Sequence, residues 1–392
     1  MDRSHSPATR PKQGRETPSL SWERVTNWRL ARGHLARRVA RARLVPTVTD
    51  MCGAHAQILS SVPLALSARV SGLRQALVDA AIQDERTLVK TWAMRGTLHV
   101  FTADDLPLYC AAQRTRDQYM NPSFLKYFEL ELADIEAVLD AIPRALDGQM
   151  LTREELADQI LKITRRRHLE DRLRSGWGEL LKPAAFRGLM CFGPQSGRSV
   201  TFVRPDQWLG QWKEYDTDEA LQQVFRRFLA VYGPASREEV ARWWGVRAPE
   251  AGRVLESLAQ DLTQVECGGS KRWVLTSDLR SLKTARAVKG VRLLPSFDQL
   301  LVMSAPHSEA IVDAAFKGRI YRARIAVWSL PSVLIDGRVK AAWKLERKRG
   351  RAIIRVEPFK PLSRSARSGL EEEAARMGAL LDADPELAIT PS

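Results

Sequence analysis

The chain is poor in the residues that build metal centres and disulfides. Its 392 residues include 4 Cys and 6 His. Cys52, Cys110, Cys191 and Cys267 are scattered, with no Cys-x-x-Cys pair and no paired His spacing. That pattern excludes a zinc site or a disulfide framework and fits a reducing compartment; no metal and no cofactor are expected. Long apolar runs are also missing, which excludes a transmembrane helix and a membrane partner. The first residues carry Pro7, Pro11 and Pro18 and no apolar segment, so they do not read as a secretory signal. A cytoplasmic, nucleoid-associated protein is expected.

Acid is scarce in two stretches. The net charge is +15, yet residues 1–43 alone carry +8 and residues 317–367 carry +12, which leaves the remainder acidic. Charge concentrated in this way suggests a surface that meets a polyanion. Arginine makes up most of the basic residues, so a compositional bias towards Arg is the bland alternative. With 44% hydrophobic and 27% charged residues the composition is globular, and the length calls for two to four domains.

A repeat organises the middle of the chain. Thr152-Arg153-Glu154-Glu155-Leu156-Ala157 is echoed by Ser236-Arg237-Glu238-Glu239-Val240-Ala241. Both are Ser/Thr-x-x-Glu capping boxes that open an amphipathic helix. A second helix follows each, through Trp177, Leu180, Leu181 and Phe186 in the first copy and Ala251, Val254, Leu255 and Leu258 in the second. Gly-centred turns between strand-like runs come next, over 191–203 and 265–275. Helix, turn, helix, hairpin is the order of a winged helix. Residues 73–102 end the same way, so a third, more diverged copy is expected near the N-terminus. Three such units suggest a concave scaffold that surrounds DNA.

From about residue 289 the pattern changes to short strands: Val291–Leu294, Ile325–Trp328, Val333–Ile335, Lys340–Leu345 and Ala352–Val356. Asp336-Gly337 and Arg349-Gly350 are hairpin-turn signals. A helix over Arg364–Leu381 closes the chain. The fold class is therefore α+β: tandem winged-helix (helix-turn-helix) units and a C-terminal β-rich domain. The expected divisions are a basic disordered arm (1–19), three winged helices (20–125, 126–215 and 216–288) and the β-rich domain (289–392).

Five short motifs recur in a familiar order. They are Trp28-Arg29-Leu30 with His34-Leu35, Cys52-Gly53-Ala54-His55-Ala56-Gln57, Trp92-Ala93-Met94-Arg95-Gly96-Thr97-Leu98-His99, Leu294-Pro295-Ser296-Phe297-Asp298, and Val333-Leu334-Ile335-Asp336-Gly337-Arg338-Val339. From about Leu20 to Leu381 the chain resembles the AlkZ/AlkX (YcaQ) superfamily of bacterial winged-helix DNA glycosylases. The resemblance implies three winged helices and a barrel-like domain around a C-shaped cleft. It also implies monofunctional, metal-independent excision of alkylated purines, including bulky adducts and crosslinks, from double-stranded DNA during base excision repair. A monomer is expected. The family's catalytic motif is Gln-Φ-Gln, or Gln-Φ-Asp in the AlkX branch. Here His55-Ala56-Gln57 stands at that position, and the final Gln places the chain on the AlkZ side.

The chemistry asked of these residues is modest. An N3- or N7-alkylated purine already carries positive charge, so it leaves without the acid that ordinary glycoside hydrolysis requires. Orienting water and stabilising an oxocarbenium-like sugar remain, tasks open to a neutral imidazole and an amide oxygen. Residues i and i+2 share a side only in an extended segment. Gly53 as a helix stop, with Ser60 or Ser61 as the next N-cap, makes 54–59 an extended linker that presents His55 and Gln57 together, with an unperturbed His pKa near 6.5. The bland alternative is a polar spacer and a helix cap.

Arg95 and His99 on the first wing read either as DNA contacts or as a structural Arg and a satisfied core His. Arg347, Lys348, Arg349 and Arg351 form a basic hairpin tip, read as phosphate or minor-groove contacts or as a solvated turn. Most of the Trp residues read as core. The competing function is a non-catalytic winged-helix DNA-binding regulator; an RNA-binding module has only the positive charge in its favour.

Overall fold

The computed structural model describes residues 17–114, 116, 119–321 and 329–391. Most of the expected arm and the expected strand Ile325–Trp328 lie outside these residues. Ser19, the last residue of that arm, is in a strand: Ser19–Leu20 pairs in parallel with Leu262–Cys267.

Three winged helices follow one another, each with the same plan. A helix leads to a short strand, two more helices and a two-stranded wing, and the short strand adds to the wing's edge. In the second unit the helix Leu132–Ala145 leads to Leu151–Thr152, which pairs with Thr201–Val203 beside Cys191–Phe192. In the third, Thr217–Tyr232 leads to Ala235, which bridges to Trp273 in the wing Leu262–Cys267 and Ser270–Leu275. In the first, Leu44–Asp50 leads to Ala54–His55, which pairs with Leu98–Thr102, itself paired with Leu88–Trp92.

Both capping boxes form. Thr152 and Ser236 accept from the backbone N–H of Glu155 and Glu239, whose carboxylates accept in return. These reciprocal bonds satisfy N–H groups that a helix start otherwise leaves unpaired. The expected second helix of the second unit is broken into Glu170–Arg174 and Lys182–Phe186. Trp177 falls in the turn between them and is 67% exposed, unlike the fully buried Trp243 and Trp244.

The C-terminal part is a single five-stranded sheet in the order Val291–Leu294, Ser332–Ile335, Arg338–Lys348, Arg351–Pro358, Asp384–Ile389. Its end strands do not pair with each other among the described residues, so the sheet is open there. Both hairpin signals hold. Asp336-Gly337 and Arg349-Gly350 have positive φ at both turn positions, the geometry whose twist matches the flanking strands. Helix Arg364–Leu381 packs on the sheet through Leu370, Ala374 and Met377. The last strand, which runs parallel to Arg351–Pro358, was not read from the sequence.

The sheet and the first winged helix share one core. Val62, Leu66, Val78 and Val100 lie with Leu293, Val333, Trp343 and Ile354. This packing brings the loop after Val291–Leu294 against the short strand Ala54–His55. No helix among the described residues is long and apolar enough to cross a membrane.

Candidate active site

The first unit departs from the other two at one point. In the second unit Thr152, which ends the short strand, caps the next helix directly, and in the third Ser236 does so immediately after the bridge residue Ala235. In the first, residues 56–60 separate His55 from the helix Ser61–Ser67, and Ser60 makes no side-chain cap bond. The motif therefore occupies a lengthened strand-to-helix turn. Gly53 enters it at φ +87°, and a Cβ there would lie 2.6 Å from the Phe101 ring. An L side chain is excluded twice over, by conformation and by space.

The expected extended linker over 54–59 holds only as far as Ala56, whose N–H continues the ladder to the Leu98 carbonyl at 2.8 Å; residues 57–60 bend and turn into the next helix. His55 and Gln57 nonetheless differ in exposure. Gln57 is exposed, and its Oε1 accepts from the Leu98 N–H at 3.3 Å, which leaves one lone pair and the amide N–H₂ free. His55 is buried, stacked on Phe297 at 5.0 Å and 11° and edge-on to His99 at 5.0 Å and 71°. Neither of its ring nitrogens has a hydrogen-bond partner. Burial, reinforced by the charge of Arg95, pulls its pKa down to about 3, so the imidazole is neutral at physiological pH. The unperturbed value near 6.5 is corrected accordingly.

His99 is fully buried opposite His55 in the ladder, its Nδ1 3.1 Å from the Thr97 carbonyl. It faces His55, not solvent, and burial likewise holds it well below the ordinary His range. Arg95 sits at φ +59° in the turn between the two wing strands. Its Nη1 donates to the Trp243 carbonyl at 2.7 Å, which ties the first unit to the third. The basic hairpin tip lies elsewhere, at the far end of Arg338–Lys348 and Arg351–Pro358. There Arg349 is exposed, Lys348 is 3.6 Å from Glu346, Arg351 is 3.3 Å from Glu386, and Arg347 reaches the Leu381 carbonyl at 3.4 Å.

Several residues that hold the site were not assigned roles from the sequence. Phe297 is itself in the left-handed region at φ +60°. Asp298 forms a two-pronged pair with Arg69 at 2.7 and 2.9 Å, both side chains buried, and also caps Leu300. Gln299 donates to the Gly53 carbonyl at 3.2 Å. This loop grips the motif from behind through Phe297 and Gln299, with Asp298 between them anchored on Arg69. The only hint in the sequence was the resemblance motif that ends in Phe297-Asp298. Cys52, adjacent to the motif, is buried and its thiol is pushed up to about 12, which disfavours the thiolate a nucleophile requires. No group of three or more metal-ligating side chains occurs among the described residues.

The model of the "DNA glycosylase AlkZ-like" family matches residues 48–380. The chain belongs to the AlkZ-like DNA glycosylase family. A curated relative from Streptomyces sahachiroi, "Interstrand DNA cross-link repair glycosylase", is 32% identical over 366 residues, covering 91% of this chain and 95% of the relative. The solved structure of Streptomyces sahachiroi DNA glycosylase AlkZ superposes with a TM-score of 0.84 at 30% identity, covering 95% of this chain and 100% of that one. The AlkZ-like match spans the lengthened turn, the first wing and the loop that grips them.

Proposed function

We propose that this AlkZ-like chain is a monofunctional glycosylase that hydrolyses the N-glycosidic bond of N3- or N7-alkylated purines in duplex DNA, bulky adducts and interstrand cross-links included. It works as a monomer on the nucleoid, without a metal. The observation that carries this reading is the lengthened turn, where a neutral imidazole and an exposed amide stand two residues apart with no carboxylate between them. The name of the Streptomyces relative supports the cross-link substrate.

In this mechanism the C1′–N bond breaks first, and its electron pair neutralises the cationic purine. Gln57 holds the attacking water through the free lone pair of Oε1. His55, too weak a base at pH 7 to ionise water in advance, accepts a hydrogen bond from it, and the proton leaves to solvent as the C1′–O bond forms. Arg95 and the tip residues Arg347, Lys348, Arg349 and Arg351 contact DNA phosphates, while His99 holds His55 in place.

The test is incubation with duplexes carrying one N7-methylguanine or one N7-linked cross-link, followed by detection of abasic sites. Abasic sites that form equally well with a chelator present, and no adduct trapped by borohydride, are expected. If the protein releases no base from a broad alkylated panel, the non-catalytic DNA-binding reading replaces this one.

A further inference from the structure

Two buried guanidinium groups beside the motif are half satisfied in the same way. Arg95 donates Nη1 to the Trp243 carbonyl at 2.7 Å, and Arg116 donates Nη1 to the Ala93 carbonyl at 3.2 Å. In both, Nε and Nη2 are buried without a partner. Those two nitrogens form the side edge of a guanidinium, the fork that meets a carboxylate or phosphate with two parallel bonds. Among the described residues no carboxylate lies within ion-pair distance of either group. Burial lowers both to about 10, and Arg242 and Arg116 add repulsion at Arg95. Buried charge without a counter-charge is costly, and such a cluster calls for an occupant.

An entrance exists on the side of the third unit. Arg116 and Gly245 line a cleft of about 890 Å³ that the helix Ala248–Ser257 also borders. Gly245 caps the preceding helix at φ +89°. A Cβ there would lie 3.0 Å from Arg116 Nη2 and 3.0 Å from the Arg95 backbone nitrogen. The cleft wall is thus bare of side chain where it meets the Arg116 fork and the Arg95 backbone. Arg247 and Arg253 add positive charge along the cleft; Asp218 and Glu250 also line it, and Glu250 is paired with Arg247 at 2.5 Å.

We propose that Arg95 and Arg116 form a site for one backbone phosphodiester of the lesion-bearing DNA strand, entered past Gly245. The assignment rests on the glycosylase reading and extends it. It also resolves a difficulty in that reading. The sugar becomes cationic during the reaction, yet the charge acting on His55 is that of Arg95, and the nearby acid Asp298 is neutralised by Arg69. A phosphate held on the two forks supplies the missing anion from the substrate itself. The forks therefore matter more for the rate than for affinity.

A charge-by-charge scan of the DNA tests this. Single neutral methylphosphonate linkages are placed around an N7-methylguanine, and the parent protein is compared with R116Q. One linkage near the lesion should slow excision by the parent about ten-fold or more, the scale on which electrostatic groups act. R116Q should be slow already and indifferent to that linkage, since the two changes remove one interaction. The same scan is read by binding to a duplex with a tetrahydrofuran abasic analogue, which needs no turnover. If the protein excises nothing, the binding scan still decides whether the phosphate site exists. Should R116Q fail to fold, R116K, which keeps the charge and loses the fork, takes its place. A parent scan in which no linkage near the lesion matters overturns the proposal without any variant. So does a variant that loses the same factor as the parent at every linkage.

Discussion

His55 is kept neutral by burial, and its pH behaviour follows from that. The excision rate should stay flat as pH falls through 6.5, because the folded-state pKa is about 3. An acid limb centred near 6.5 in a pH–rate profile would contradict this. Stability behaves differently. Between about 3 and 6.5 the unfolded chain takes up a proton at His55 that the folded chain refuses, so stability is full above 6.5 and is lost as pH drops. At about 1.4 kcal/mol per pH unit, His55 alone costs up to about 2 kcal/mol between pH 6.5 and 5. Urea denaturation of the parent and of His55→Gln at both pH values should show a smaller acid loss in the variant. For the chemistry, His55→Ala and Gln57→Ala should each lower single-turnover excision by about 10²-fold. The double variant should be little worse than the poorer single one, because residues acting on one water are not additive. Duplex affinity should hardly change, as neither side chain is charged. Parent-like excision by both single variants would remove the motif from the mechanism.

At the scale of elements, the site arises from one departure within a repeat. The second and third units close their short strand onto the next helix with a capping box, while the first inserts 56–60 and gives up the cap. The loop that steadies this uncapped turn depends on the buried pair Arg69–Asp298. Asp298→Ala leaves the Arg69 charge buried and unpaired, which should cost about 3–5 kcal/mol by chemical denaturation. A change under 1 kcal/mol would mean that the loop holds the motif without the pair. The two capping boxes, the wing hairpins and both Gly turns were legible because each is a local signal. The broken second helix of the second unit was not, because nothing local separates the Trp177 turn from a helical turn. The strand Asp384–Ile389 was also missed: it pairs in parallel across an intervening helix, and such pairing leaves no turn signature.

The whole molecule carries +15, and the basic tip at Arg347–Arg351 is far along the chain from the motif. If about six phosphates are neutralised, log K for duplex binding should fall with log salt at a slope near −5. Charge reversal at Arg347, Lys348 and Arg349 should flatten that slope, and titrations between low and moderate salt measure both. An unchanged slope would remove the tip from the DNA surface.

Local order was determined by the sequence itself: which segments are helices and wings, that the units repeat, and that a short extended stretch follows Gly53. Capping, turn chemistry and periodicity act over a few residues, so they are written in the chain where they operate. Only the tertiary structure decided that His55 is buried, that Phe297 and Gln299 come from some 240 residues away to hold the motif, and that Arg95 and Arg116 carry buried, unpaired edges. Burial and charge compensation are properties of what packs around a residue. Those neighbours are set by how the C-terminal sheet and the third winged helix close on the first, which no local pattern encodes.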